Sequence, residues 1–142
     1  MTPHPEGGHF VETWRGPDRG DGRASATAIH FLLRAGERSH WHRVDADEIW
    51  HFYAGEPLEL LAYEPAARRL TKRVLDSPGR GTGAIGVIPS GVWQAARSLG
   101  KYSLVGCTVS PGFEFSGFRF VDALADHHEH FVGELAEFAA LL

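Results

Sequence analysis

Apolar and polar residues alternate along most of the chain in short runs that turn residues separate. Runs rich in strand-forming residues occur at 27–33, 58–64 and 103–110, and SPGRGTG, PSG and SLGK lie between such runs. The turns recur about every 8–12 residues, which is typical of a β-sandwich or barrel. The pattern predicts an all-β domain with strands at 9–14, 27–33, 39–42, 48–53, 58–64, 70–75, 84–88, 93–96, 103–110 and 115–118.

The segment 121–142 breaks this pattern because it contains no proline and its apolar residues, from Leu124 to Leu142, recur at intervals of three and four. This spacing predicts an amphipathic helix. Residues 1–24 carry scattered glycines and prolines, which indicate an ordered arm. We therefore expect a single domain over 1–142, with the arm at 1–24, a β-barrel at 25–120 and a helix at 121–142.

Composition excludes several classes of partner. The 142 residues carry a formal net charge of −4, so no basic face is available for nucleic acid. No apolar run approaches the roughly 20 residues of a membrane span, and the first residues lack the features of a leader peptide. The single cysteine, Cys107, cannot form an internal disulfide and is interpreted as a small buried hydrophobic residue. These features predict a cytoplasmic protein.

The strongest chemical signal is a pair of histidines, His40 and His42, two residues apart. On a strand both side chains point to the same face. Glu48, on the next strand, could join them, and two histidines with one carboxylate hold a divalent metal with open positions for a substrate. The alternative is a pair of ordinary hydrogen-bonded histidines. Without a metal, an imidazole beside a carboxylate is also a candidate acid–base pair.

A second fragment runs from Gly83 through Pro89 and Gly91 to Gln94. Proline fixes φ and glycine adopts a positive φ, so Pro89-Ser90-Gly91 predicts a tight turn. The returning strand would then carry Gln94 inward.

Together the two fragments resemble the paired motifs of the cupin superfamily. The chain resembles the DUF985 branch, also called Cupin_5, more closely through the motifs HPEGGHF, SATAI, SHWHR, DEIWHFYAGEPLEL, IPSGVWQAA and YSLVGCTVSPGFEFSGF, which span residues 4–118. The resemblance implies a cupin jelly roll, or double-stranded β-helix, that is commonly a homodimer. The branch is described as predicted sugar epimerase-like cupins.

The resemblance also implies a set of metal ligands, for Fe, Mn, Ni or Zn, formed by His40, His42, Glu48 and Gln94. Two departures weigh against a metal. Gln94 stands where the second motif usually has histidine, and an amide oxygen binds transition metals more weakly than imidazole does. The spacing from His42 to Glu48 is also longer than usual. A site with a metal and one with no cofactor therefore both remain open.

Aromatic residues define the expected pocket. By alternation from Glu48, Trp50 and Phe52 face inward, whereas His51 and Tyr53 face outward. Tyr102 is a candidate phenolic proton donor, which makes the catalytic candidates His40, His42, Glu48 and Tyr102. The candidate substrate-binding residues are Trp50, Phe52, Trp93, Gln94, Phe113 and Phe115, although aromatic residues inside a small barrel also simply fill its core.

Other polar residues are interpreted structurally. We expect His30 to be a hydrogen-bonded core residue and His51 to lie on an outer face that a second subunit covers. The HPEGG segment, which contains Glu6, is expected to fold as a turn against the barrel or a partner. His127, His128 and His130 are expected on the solvated face of the predicted helix.

Three functions fit these residues. The first is an epimerase or isomerase that acts on a sugar-like or nucleotide-linked small molecule, with His40 or His42 as the base and Glu48 orienting it. The second is a metal-dependent enzyme of the dioxygenase or decarboxylase type. The third is a module that binds a small ligand without catalysis.

Overall fold

The computed structural model describes residues 1–120. The predicted helix at 121–142, with its three histidines, lies outside the described residues. Within residues 1–120 the strands are β1 Thr2–Pro3, β2 His9–Arg15, β3 Thr27–Arg34, β4 Arg38–Val44, β5 Asp47–Gly55, β6 Leu58–Glu64, β7 Arg69–Leu75, β8 Ile85–Ile88, β9 Trp93–Ser98, β10 Tyr102–Ser110 and β11 Phe118–Phe120.

The strands form two antiparallel sheets. One has six strands in the order β1-β2-β3-β10-β5-β8, and the other has five in the order β11-β4-β9-β6-β7. Neighbours in each sheet are mostly distant in sequence, as expected when strands cross between the layers of a jelly roll. The predicted all-β jelly roll is therefore confirmed. The arm contributes β2, which pairs with β3 along its length.

The core lies between the sheets. Phe31 and Leu33 of β3, Trp50 of β5 and Leu60 of β6 are at most 1% exposed and belong to one apolar cluster. Each large side chain buried in this way contributes roughly 1.5–3 kcal/mol. Leu61 follows Leu60 on β6, points to the opposite face and joins a second cluster.

A separate cluster of buried residues on that opposite face of the five-stranded sheet consists of Trp41, Leu61, Tyr63, Trp93 and Ala95.

Alternation along β5 is confirmed. Glu48, Trp50 and Phe52 are buried, whereas Tyr53 is 54% exposed.

The predicted strand at 115–118 is wrong, because Phe115–Gly117 form a 3₁₀ turn in which the Gly117 N–H donates to the Glu114 carbonyl at 3.0 Å. Strand pairing with β4 begins only at Phe118.

A β-bulge interrupts the pairing of β4 with β9. Ser39 lies opposite Ala96 and His42 lies opposite Gln94, so three steps along β4 match two steps along β9. An extra residue in one strand reverses the faces of the residues on its two sides. This bulge decides which histidine of the His40/His42 pair enters the barrel.

Candidate functional site

A cavity of about 200 Å³ opens between the two sheets. His42 reaches it from β4 of the five-stranded sheet, and Glu48 reaches it from β5 of the six-stranded sheet. The remainder of its wall is largely apolar, although the charged residues Glu12 and Arg15 of β2 also line it. The apolar lining residues are Phe10, Ile29, Val44, Val109, Phe113 and Phe115.

The N-terminal HPEGG segment carries His4 and Glu6 into this cavity. It folds as a turn in which the Gly7 N–H donates to the His4 carbonyl and the His4 N–H donates to the Gly8 carbonyl, both at 2.9 Å. The His40 N–H donates to the Glu6 carbonyl at 2.8 Å and ties the turn to β4. Gly7 has φ +107°, and a Cβ there would lie 1.8 Å from the Arg38 carbonyl oxygen, so only glycine fits.

Glu6 and His42 form a buried pair. His42 Nε2 lies 3.1 Å from Glu6 Oε2, and the Ser39 hydroxyl donates to Glu6 Oε1 at 2.8 Å. His42 Nδ1 lies 2.7 Å from the His40 carbonyl oxygen, which can only accept, so Nδ1 carries a proton. In a neutral His42 the lone pair at Nε2 therefore faces Glu6, and one proton is shared between Nε2 and Oε2.

Burial sets the charge of this pair. Removal from water lowers the pKa of His42, and it raises the pKa of Glu6 despite the opposing effects of His4 and the Ser39 hydroxyl. Both shifts favour the neutral imidazole beside the protonated carboxyl over the ion pair. The pKa of His4 is also lowered, chiefly by burial.

Glu48 forms a second polar group on the facing sheet. The Gln94 side-chain N–H donates to Glu48 Oε2 at 2.7 Å, and the Trp50 indole N–H donates to Gln94 Oε1 at 2.9 Å. The Cys107 thiol also hydrogen-bonds to the Glu48 carboxyl. Burial raises the pKa of Glu48 to about 7, and repulsion from the Glu6 carboxyl, whenever that carboxyl is ionised, acts in the same direction. This carboxyl can therefore release or take up a proton near neutral pH.

The family can now be assigned. The model of the family described as the cupin superfamily (DUF985) matches residues 1–121. The chain belongs to this family of cupins. It is similar to a protein of known crystal structure from Shewanella oneidensis, with 33% sequence identity over 99% of this chain and 89% of that chain, and a TM-score of 0.88.

Two further structures are similar. A hypothetical protein from Leishmania major is 30% identical over 94% of this chain and 88% of that chain, with a TM-score of 0.78. Oxalate decarboxylase from Bacillus subtilis is 13% identical over 99% of this chain and 36% of that chain, with a TM-score of 0.66, and shares the cupin fold alone. None of the curated proteins matches this chain. Across residues 1–120 no helix is long and apolar enough to cross a membrane.

Of the four expected metal ligands of this cupin, His42, Gln94 and Glu48 lie together, but His40 does not join them. His42 is 1% exposed inside the barrel, whereas the bulge in β4 turns His40 to the exposed surface. Gln94 faces Glu48 with its N–H group, which cannot coordinate a metal. Within the described part of the chain, no three histidine, cysteine, aspartate or glutamate side chains are placed to hold a metal ion. The set of His40, His42, Glu48 and Gln94 therefore does not fit a metal.

The aromatic candidates divide into two groups. Phe113 and Phe115 line the cavity as expected. Trp50 and Phe52 belong to the core between the sheets instead, and Trp93 belongs to the cluster on the opposite face. Trp93 precedes Gln94 on β9, so the orientation of Gln94 toward Glu48 directs Trp93 the other way.

Tyr102 and His30 are also placed differently from the expectation. Tyr102 is 43% exposed and lines a shallow surface groove with Leu32 and Arg34, away from the cavity. His30 is an exposed residue whose ring lies 5.7 Å from that of Tyr53 on the outer face of the six-stranded sheet. The alternation of β3 therefore puts Phe31, and not His30, in the core.

Sequence analysis missed His4 and Glu6 as site residues. The HPEGG segment does fold as a turn against the barrel, but the same turn delivers both side chains to the cavity. The available signal was a histidine and a glutamate two residues apart, followed by two glycines. That combination indicates a turn in which polar side chains are held in a fixed position.

Proposed function

We propose that this cupin is an isomerase or epimerase that moves a proton on a small polar molecule bound in the cavity. The observation that carries the proposal is a pair of buried acid–base groups on different sheets, Glu48 on one side and Glu6 with His42 on the other. Each sits beside the same cavity. A carboxyl with a pKa of about 7 has the proton affinity that general acid–base catalysis requires near neutral pH.

The residues support a balanced proton transfer. The Glu48 carboxylate takes the proton from a hydroxyl-bearing carbon next to a carbonyl group; the electron pair of the broken C–H bond forms a C=C bond, and the π pair of the carbonyl moves onto its oxygen. The proton shared by Glu6 and His42 is donated to that oxygen, which gives a neutral enediol. Glu48 then returns its proton to the former carbonyl carbon, while the Glu6–His42 pair takes the proton of the other enediol hydroxyl, so the carbonyl group moves to the neighbouring carbon and both protein groups are restored. In this scheme Glu6 orients His42, a role that the sequence had suggested for Glu48.

The cavity restricts the substrate class. Its volume of about 200 Å³ is below the roughly 300–1,000 Å³ of pockets for drug-sized ligands. A single sugar-sized unit is the expected occupant, with Phe113 and Phe115 against its apolar face. In a nucleotide-linked substrate the nucleotide would lie outside.

Hydrogen exchange tests the proposal. Incubation in D₂O with a panel of aldoses, ketoses and their phosphates, followed by ¹H NMR, should show loss of one C–H signal for at least one compound. Glu48→Gln and His42→Gln should each slow that exchange by about 100-fold or more, the usual contribution of an acid–base residue. His51→Gln, on the outer face of the sheet, is the matched control and should leave the rate unchanged. Exchange that survives in Glu48→Gln would contradict the assignment.

The same panel separates the alternatives. A ligand that binds tightly with no exchange and no turnover would favour the non-catalytic binding module. The metal-dependent alternative has less support, because His40 is exposed and Gln94 directs its N–H group toward Glu48.

We also infer a homodimer. Val11, His30, Gly106, His51 and Ile85 stand in register across the outer face of the six-stranded sheet. The large apolar residues of this face, Val11, Tyr53, Ile85 and Val87, are between 41% and 56% exposed, and a patch of this kind is suited to an isologous contact with a second copy. Ile85→Asp should convert the dimer to monomer in sedimentation velocity, whereas Arg80→Asp, in a loop, should not.

A further inference from the structure

We propose that Arg43 and Arg119 form a binding site for a phosphate-type anion, outside the cavity described above and independent of the proposed function. They line a second hollow of about 450 Å³, here called the arginine pocket. The other residues of the arginine pocket are Val44, Asp45, Ser90, Gly91, Ser116 and Gly117.

The two arginines are direct cross-strand neighbours. In the antiparallel pairing of β4 with β11, Arg119 stands opposite Arg43. Side chains at such positions point to the same face with Cβ atoms about 4.5–5.5 Å apart, and like charges placed there destabilise a sheet. An anion bound between the two guanidinium groups would remove this repulsion.

In the part of the chain that the structure describes, no carboxylate neutralises the pair. Asp45 is the acidic residue of the arginine pocket, and Arg23 already holds it through two hydrogen bonds of 2.8 and 3.0 Å. These contacts lower the pKa of Asp45, so it remains charged and engaged. Within residues 1–120, Arg43 and Arg119 make no ion pair, in contrast to the bidentate Arg23.

The arginine pocket is partly organised before any ligand arrives. The Arg43 guanidinium lies 4.9 Å from the ring centroid of Trp93, a cation–π contact that limits its movement. Exposed hydroxyls of Ser90 and Ser116 add donors at the rim. Two planar guanidinium groups with hydroxyl donors match the oxygens of a phosphate ester or diphosphate, which arginine binds in bidentate fashion.

Calorimetric titration of the full-length protein with inorganic pyrophosphate at low salt tests this site. We expect saturable binding that weakens roughly tenfold or more in Arg119→Gln and in Arg43→Gln, since each loses a charge-assisted contact. Arg80→Gln removes one exposed arginine from a distant loop and should leave the affinity unchanged. Absence of binding, or equal affinity in Arg119→Gln and the unmodified protein, would overturn the proposal.

Thermal unfolding gives a second readout that also guards against a folding defect. In buffer without multivalent anions, Arg119→Gln should have a Tm equal to or above that of the unmodified protein, because the repulsion is gone. Pyrophosphate at a concentration near its Kd for the unmodified protein should raise the Tm of that protein and raise the Tm of Arg119→Gln much less, because the variant binds about tenfold more weakly. A Tm that rises equally in both proteins would count against the site.

The source of the anion is tested with glucose 1-phosphate. Inorganic phosphate is the matched comparison, because the two anions carry similar charge. Tighter binding of glucose 1-phosphate than of inorganic phosphate, lost in Arg119→Gln, would support a phosphate ester as the ligand. Equal or weaker binding with the same sensitivity to Arg119→Gln would support a free oxyanion.

Discussion

Glu48 should make this protein less stable as the pH rises through the neutral range. Burial raises the pKa of this carboxyl from 4.5 to about 7, so the folded state holds the proton more tightly than the unfolded chain does. Stability from the protonated group is fully present below pH 4.5 and is lost progressively up to about pH 7. Replacing Glu48 by Gln keeps an acceptor for the Gln94 N–H group and removes the titration.

The magnitude follows from the pKa difference. A rise of about 2.5 in pKa corresponds to about 3 kcal/mol between the two protonation states at about 1.4 kcal/mol for each pH unit. Between pH 5 and pH 8, the stability of Glu48→Gln relative to the unmodified protein should therefore increase by about 2.5 kcal/mol. With a urea m-value of about 1–3 kcal/mol/M, the midpoint difference should grow by about 0.8–2.5 M.

Urea unfolding of both proteins at pH 5, 6, 7 and 8 measures this difference directly. Groups remote from Glu48 titrate alike in both proteins and cancel in the comparison, whereas the charges of Glu6 and His42 interact with Glu48 and contribute to the measured difference. Glu64→Gln is the control, because it removes a carboxylate from a surface pair with Arg69, and such pairs contribute only about 0–1 kcal/mol. A stability difference for Glu48→Gln that does not change with pH would refute the account of Glu48 as a buried, protonatable group.

Three further substitutions test the supports of the site. Gly7→Ala should displace the HPEGG turn and lower the free energy of unfolding in urea by at least about 1–3 kcal/mol, because the added Cβ would overlap the Arg38 carbonyl. Gly79→Ala is the control and should lower it less, because Gly79 has φ +87° but open space around it. Trp50→Phe should lower the free energy of unfolding by about 1–3 kcal/mol more than the loss of buried ring area explains, because Gln94 Oε1 loses its buried donor. Trp93→Phe is the control for the loss of an indole ring. Ser39→Ala should raise the pKa of Glu6 further, because the hydroxyl hydrogen bond that lowers it is lost, which ¹³C NMR titration of the Glu6 carboxyl would detect.

Strand periodicity was enough to predict the parts of the site that depend on local geometry. A period of two placed Glu48, Trp50 and Phe52 on the inner face of β5, and the turn at 89–91 returned Gln94 toward them. These predictions succeed because side-chain alternation is a property of the strand itself.

Features that depend on distant contacts were not predictable in the same way. The bulge in β4 separates His40 from His42, although the spacing of the two residues placed them on one face. Nothing in the local pattern distinguishes a regular strand from one with an extra residue. Glu6 likewise acts through contacts with Ser39 and His42, more than 30 residues away, so its role required the folded barrel.

The buried hydrogen-bond chain from Trp50 through Gln94 to Glu48 determines which groups this site presents. An indole N–H can only donate, so Gln94 must turn its amide oxygen toward Trp50 and its N–H group toward Glu48. A donor at Glu48 favours the charged carboxylate and opposes the effect of burial, which keeps the pKa of Glu48 at about 7, where both protonation states are accessible. The same orientation leaves no amide oxygen facing Glu48 for a cation. The replacement of histidine by glutamine at this point of the second motif therefore changes what the position offers, from a metal ligand to a hydrogen-bond donor that adjusts an acid.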